Sequence, residues 1–294
     1  MTDTVQRLIV GCGYLGGRIA QRWRSRGDVV CVLTRSVDHS LQFQRQGLRT
    51  HVGDILKAET LTNLPTAETV LFAVGHDRSS GASIESVYVD GFQNLLDALP
   101  PSSGPVLYTS STGVYAQEDG EWVDEDSICE PDREGGRVCL AAEKMLLAHR
   151  RGQDAKILRL AGLYGPNRIP RSADVVAGKP LPVTGNDYLN LIHVEDATTV
   201  LLAAADQSGV RRTYNVSDGS PTTRCAYFTA LARLLRAPTP RFEIVEEWSE
   251  RKSGTNKRVC NDRMVRELGV RPIYPTYQEG LAAIVSEMRR QEPN

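Results

Sequence analysis

The chain has almost no net charge: 35 Lys and Arg against 36 Asp and Glu leave −1 at pH 7 over 294 residues. It therefore lacks the basic field that nucleic-acid binding draws on, and it has no acidic tail. Long hydrophobic runs are also missing, the apolar stretches falling well short of the roughly 20 residues of a membrane span. Cys-x-x-Cys is absent too. The six cysteines (12, 31, 129, 139, 225 and 260) are scattered, which in a chain of this length fits reduced, mostly buried thiols rather than a disulfide framework or a metal site. No signal-peptide pattern precedes the first apolar run, and Met1–Arg7 leads straight into it, so a cytoplasmic location is expected. There is no repeat and no low-complexity segment. What remains is a chain with 40% hydrophobic residues, able to bury a large core. Its expected partner is a small molecule, with no nucleic acid and no membrane; assembly as a homodimer stays open.

Glycine is where the sequence becomes specific. Leu8-Ile9-Val10 reads as a buried strand, Gly11-Cys12-Gly13-Tyr14-Leu15-Gly16 as a Gly-x-Gly-x-x-Gly turn, and Ile19-Ala20 with Trp23 as the apolar stripe of a helix. In such a turn the first glycine permits the tight bend, the second lets backbone approach a pyrophosphate, and the third lets helix pack on strand. The helix N-terminus then turns N–H groups and a positive dipole end towards the phosphates. Gly11, Gly13, Tyr14, Leu15 and Gly16 are thus candidate dinucleotide-binding residues. A second strand, Val29–Leu33, ends at Thr34-Arg35. An NAD site places an acid near this point to hold the ribose hydroxyls. Thr34 stands there instead, and Arg35 could meet a 2′-phosphate, so NADP is expected in preference to NAD.

Further strands are read at Leu48–Val52, Thr69–Val74, Val106–Ser110 and Ala155–Leu160, separated by helical patterns. This alternation predicts an α/β fold, a doubly wound parallel sheet of the Rossmann kind, over residues 1–160. Ligands of such sheets lie beyond the carboxyl ends of the strands. That adds Asp54 on the adenine side, with Ala73 and Val74 towards the nicotinamide. Residues 161–294 read as a smaller, mixed substrate lobe, with roughly 189–216 returning to the Rossmann core. Gln117–Arg133, which carries Trp122, reads as a polar surface loop, and Leu189–Val194 as one strand.

Several segments then fall into a known pattern. Gly53-Asp54-Ile55, Ser110-Ser111-Thr112-Gly113-Val114-Tyr115, Arg159–Pro166, Ile192-His193-Val194-x-Asp196 and Tyr214-Asn215-Val216 occur in this order. The chain resembles the extended short-chain dehydrogenase/reductase family, the nucleotide-sugar epimerases and dehydratases, over nearly its whole length. The resemblance puts Ser111 at the position of the catalytic serine. It also implies a Tyr-x-x-x-Lys helix four residues before a Glu, here Glu143. A lysine in that motif lowers the pKa of the tyrosine one helical turn away, so that the phenolate takes a hydroxyl proton as hydride leaves. In this chain the two positions hold Gly135 and Cys139. Lys144 cannot substitute, being about 140° further round the helix. Tyr88 stands where the family has Asn in Val87–Gly91, and Tyr188 or Leu189 where an Arg often precedes the Ile-His-Val segment. The best match is an atypical branch that keeps the serine without the Tyr/Lys pair.

The candidate catalytic residues are therefore Ser111, to orient a substrate oxygen, and His76, in the loop after the fourth strand, to move a proton. Arg133 and Arg137 lie near the vacated tyrosine position, where they could bind an anion. Tyr115, Tyr164 and His193 read as structural. Two functions are weighed. One is an NAD(P)-dependent epimerase/dehydratase or reductase on a small polar or sugar-like substrate. The other is a non-catalytic NADP(H)-binding sensor or regulatory protein. The reading leans to the enzyme, with no metal.

Overall fold

The computed structural model describes residues 4–183, 187–207, 212–244 and 256–291. Seven strands form one sheet: β1 (Thr4–Val10), β2 (Val30–Thr34), β3 (Arg49–Val52), β4 (Thr66–Phe72), β5 (Val106–Ser111), β6 (Lys156–Leu160) and β7 (Thr213–Val216). Their order is β7-β6-β5-β4-β1-β2-β3. β1 pairs in parallel with β2 on one side and β4 on the other, and β3 and β5 extend the sheet in parallel. The strand order thus reverses beside β1, opening a crevice beyond its carboxyl end. The expected doubly wound parallel sheet is present.

Continuous apolar runs make this sheet because both of its faces are covered. Leu8, Ile9, Val70, Leu71 and Phe72 have no exposed surface. Helix α1 (Gly16–Ser25) buries Ile19, Ala20 and Trp23, spaced for one helical face. Helix α2 (Val37–Arg45) starts at Ser36, whose hydroxyl accepts the His39 N–H at 3.2 Å. Helix α3 (Gly91–Ala98) adds Phe92, stacked on Phe72 with ring centroids 4.1 Å apart. A single π-helical stretch, Ser86–Asp90, runs directly into α3 and carries Tyr88. Helix α4 (Glu134–Ala148) carries two glycines in its first turn, Gly135 and Gly136. A Cβ at Gly136 would lie 2.3 Å from the Gly113 carbonyl oxygen, so only glycine lets these segments approach so closely.

The chain forms two compact units. The first contains residues 1–114, 131–159 and 198–214, and the second 115–130, 160–197 and 215–294. The second unit gathers Tyr164, Tyr227, Phe228, Leu231, Tyr277 and Leu281 into its own apolar core. The stretch Gln117–Arg133 is more than a loop: Glu121–Val123 is a strand, parallel to Lys257–Val259. The Arg258 guanidinium lies 5.1 Å from the Trp122 ring centre and fixes that pairing from the side. The single strand expected over Leu189–Val194 is two short ones, Tyr188–Leu189 and Leu191–His193, which pair with different partners. Tyr115 donates a buried hydrogen bond to Asn215 Oδ1 at 2.8 Å. His193 is packed between the rings of Tyr164 and Tyr274, and its Nδ1 accepts the Glu195 N–H.

One carboxylate of this unit makes stability depend on pH. Asp218 is 7% exposed; its Oδ1 accepts the Ser220 N–H, and its buried Oδ2 has no partner among the described residues. Burial, with the charge of Asp196 adding to it, pushes its pKa up to about 7. The folded state therefore holds this proton more tightly than the unfolded chain. Its stabilising effect is complete below the ordinary aspartate pKa and is lost as pH rises through about 7. Asp218→Asn is expected to flatten the fall in melting temperature between about pH 4 and pH 7, measured by thermal melts across that range. An unchanged slope would show that Asp218 titrates as an ordinary carboxylate.

Candidate dinucleotide site

β1 ends at Val10, and the chain then turns at Gly11, whose φ of +94° excludes most side chains. The turn also presses on the chain just beyond β4: a Cβ on Gly11 would lie 2.5 Å from both C and O of Ala73. The Ala73 N–H in turn donates to the Val10 carbonyl at 2.8 Å. A Cβ on Gly16 would lie 2.1 Å from the Gly11 carbonyl oxygen, so the start of α1 rests directly on the turn. Gly13 is different. It is exposed, and a Cβ there would meet nothing within 4 Å. Its carbonyl accepts the Gly17 N–H at 2.8 Å, which starts the helix. The turn is closed at its first and third glycines and open at its second, the shape that lets a pyrophosphate reach backbone N–H groups.

The opening leads into a cavity of about 730 Å³ in the first unit, lined in part by Gly11, Gly13, Arg35, Asp54, Val74 and Asp77. The volume lies within the usual range of ligand sites. Of the nine residues expected to hold a dinucleotide, Gly11, Gly13, Arg35, Asp54 and Val74 line it. Tyr14, Leu15, Gly16 and Ala73 do not. Leu15 is buried, and the Tyr14 ring lies under the Arg18 guanidinium, 4.3 Å away. Asp54 is fixed from both sides, its N–H donating to Thr60 Oγ1 and its Oδ1 accepting the Leu56 N–H. Thr34, Ser36, His39 and Phe43 also line the cavity. Thr34 was read from the sequence at the end of β2; the contribution of Ser36, His39 and Phe43 could be read only once α2 was known to face the cavity. Burial pushes the Cys12 thiol beside the turn up to about 11, so it remains protonated near neutral pH. The residues present thus fit a dinucleotide: they give an open backbone approach at Gly13, a helix N-terminus and a polar rim.

The proposed catalytic residues lie in the same unit. Ser111 is the last residue of β5, half-buried, with Oγ accepting the Gly113 N–H at 3.0 Å. Its O–H is left to donate elsewhere. His76 is not among the residues lining the cavity. Its ring turns back on its own loop, Nε2 lying 2.9 Å from the Ala82 carbonyl, while its backbone N–H donates to Tyr88 Oη at 3.0 Å. The cavity receives the neighbours of His76 instead, Gly75 and Asp77.

At positions 135 and 139 the α4 face offers no group poised to exchange a proton near neutral pH. A Cβ at Gly135 would meet only Ile84 Cδ1, at 4.0 Å. Cys139 is buried with the Tyr108 hydroxyl beside it, and burial pushes the thiol up to about 11. Arg137 Nη1 donates to the Asp132 carbonyl, so that cation is engaged locally. Beneath this face Glu143 accepts three hydrogen bonds: from Ser110 Oγ at 2.5 Å, Arg159 Nε at 3.1 Å and Arg159 Nη2 at 2.7 Å. The cluster ties the carboxyl end of β5, which carries Ser111, to α4 and β6. Among the described residues there is no cluster of three or more His, Cys, Asp or Glu able to hold a metal, and no helix is long and apolar enough to cross a membrane.

Comparison with known proteins gives the same answer as the glycine turn. Residues 8–217 match the model of the NAD dependent epimerase/dehydratase family. The chain belongs to that family. It is an NAD(P)-binding Rossmann protein in a family of oxidoreductase-type enzymes. It is 31% identical over 276 residues to Protein YeeZ of Escherichia coli K12, covering 91% of this chain and 95% of that one. It is 26% identical to the 3-diazoavenalumate denitrifying reductase of a Streptomyces species, covering 93% and 98% of the two chains. Among solved structures, a conserved protein of unknown function from Silicibacter pomeroyi superposes with a TM-score of 0.78 at 27% identity, over 97% of this chain and 99% of that one.

The expected preference for NADP is corrected. Solved members of the same fold at 16–23% identity hold NAD: MoeE5 with UDP-glucose, the UDP-glucose 4-epimerase of Thermus thermophilus and the dTDP-glucose 4,6-dehydratase of Bacillus anthracis. Arg35, which was to meet a 2′-phosphate, faces the carboxylate of Asp77 at 3.8 Å.

Proposed function

We propose that this family member binds NAD along the Gly11–Gly16 turn and oxidises or reduces a small polar, sugar-like substrate without a Tyr/Lys pair. The observation that carries the reading is the open middle glycine of the turn, Gly13, set between the two closed ones, Gly11 and Gly16. Bound NAD supplies a two-electron hydride acceptor, and as NADH the donor. The protein's part is to bind, orient and move a proton. Ser111, with its oxygen held by the Gly113 N–H, directs its own O–H at a substrate oxygen. His76 is the proton carrier in this reading, which requires its loop to bring the ring from its present place outside the cavity lining to the substrate. The Ala82 carbonyl beside Nε2 favours the proton on that nitrogen, which leaves Nδ1 to take or give one. Cys139 takes no part, since its thiol stays protonated up to about pH 11. The relative named as a reductase supports reductive chemistry on this scaffold.

The test is hydride transfer. With NADH carrying deuterium at the transferable position, a panel of keto sugars and small carbonyl compounds is expected to include one that gains the label, read by mass spectrometry. Tight NADH binding with no label on any member of a broad panel would favour the non-catalytic sensor instead. On a substrate so found, Ser111→Ala is expected to slow single-turnover NADH oxidation by roughly a hundredfold, the scale of a lost acid–base or orienting group. Cys139→Ala should leave that rate nearly unchanged. If Cys139→Ala stopped turnover, the proposed proton path would be wrong.

A further inference from the structure

The sheet order brings the loops after β2 and β4 to the two sides of β1, and each contributes a charge to the cavity wall. Arg35 comes from the first loop and Asp77 from the second. Arg35 Nη2 lies 3.8 Å from Asp77 Oδ2, with both side chains about half exposed. Asp77 is not a loose partner. Its Oδ1 accepts both the N–H and the hydroxyl of Ser79, at 3.0 and 2.6 Å, which aims Oδ2 at the guanidinium. Position 34, where NAD sites of this fold carry an acid, holds Thr.

We propose that Asp77 is the cofactor-selectivity residue of this protein, an acid supplied by the β4 loop in place of the one missing at the end of β2. It occupies Arg35, which would otherwise pair with a 2′-phosphate, and its own charge repels that phosphate. A free ribose 2′-hydroxyl meets no such penalty, so NAD is accepted. The bonds from Ser79, and the charges of Arg35 and His76, hold the Asp77 carboxyl below the ordinary aspartate range, so the charge is present throughout the physiological range. This inference rests on the reading of the cavity as a dinucleotide site.

The test is titration of NAD+ and NADP+ into the wild type, Asp77→Asn, Arg35→Ala and the double variant, followed by calorimetry. Asparagine keeps an oxygen for Ser79, and retained NAD+ binding reports an intact site. Wild type should prefer NAD+. Asp77→Asn should improve NADP+ relative to NAD+ by about fivefold, an effect that shrinks as salt screens the pair. In the Arg35→Ala background the same substitution should gain about twofold or less, because only the direct repulsion between Asp77 and the phosphate is then relieved. An NADP+/NAD+ ratio unmoved by Asp77→Asn, in a protein that still binds NAD+, would overturn the selectivity role alone. A wild type that binds neither dinucleotide would overturn the reading of the cavity and this inference with it.

Discussion

Glu143→Ala is expected to lower folding stability by about 3–5 kcal/mol, the cost of leaving a buried charge without its partner. In a chain of this size that lowers the melting temperature by on the order of 10 °C. The Glu143 and Arg159 side chains are 3% and 8% exposed, so water cannot compensate for the lost carboxylate. Both carboxylate oxygens are used, Oε1 by Ser110 and Arg159 Nε, Oε2 by Arg159 Nη2. Removing it takes from a buried guanidinium the carboxylate to which it donates twice, and frees the hydroxyl of Ser110. The ion pair itself need not favour folding over an apolar pair of equal volume; the penalty lies in breaking it. Urea unfolding of Glu143→Ala and of the double variant Glu143→Leu/Arg159→Leu separates the two effects, the double variant losing less than the single. A single-variant loss below about 1 kcal/mol would mean that solvent reaches Arg159. Because Ser110 adjoins Ser111, the single variant should also weaken the orientation of the Ser111 hydroxyl.

Gly13→Val should abolish NAD+ binding and leave the melting temperature nearly unchanged, whereas Gly16→Val should destabilise the protein. The difference comes from what each new Cβ would meet: nothing within 4 Å at Gly13, and the Gly11 carbonyl oxygen at 2.1 Å at Gly16. At Gly13 the valine methyls stand in the space through which a pyrophosphate approaches backbone. At Gly16 no rotamer relieves a clash between Cβ and main chain, so α1 must move off the turn. Circular dichroism melts beside NAD+ calorimetry read both effects. Undiminished binding by a folded Gly13→Val protein would place the dinucleotide elsewhere.

What could be read from the sequence follows the range of each interaction. The glycine turn and the sheet were legible because they are local: apolar runs separated by helical stripes and a six-residue spacing specify strand, turn and helix. The pairing of Arg35 with Asp77 was not, because it depends on β1 standing between β2 and β4. The rule that predicted NADP looked only at the end of β2, whereas the carboxylate that faces Arg35 comes from the loop after β4. His76 was read in the loop after β4, but the hydrogen bond that turns its ring to Ala82 leaves no periodic trace. Glu143 stood out as a marker of the missing helix motif, while its role as anchor for Ser110 and Arg159 joins three elements far apart in the chain. Glu121–Val123 is too short for alternation to show, and Trp122 finds its cation only when Lys257–Val259 lies alongside.

The most direct test of the account is a crystal structure of the wild-type protein grown with NAD+. The account predicts the pyrophosphate against the backbone at Gly13 and the N-terminus of α1, with the adenosine ribose beside Thr34 and Arg35 and the ion pair from Arg35 to Asp77 intact. NAD+ bound away from this turn, or a crevice left empty at a saturating concentration, would contradict it.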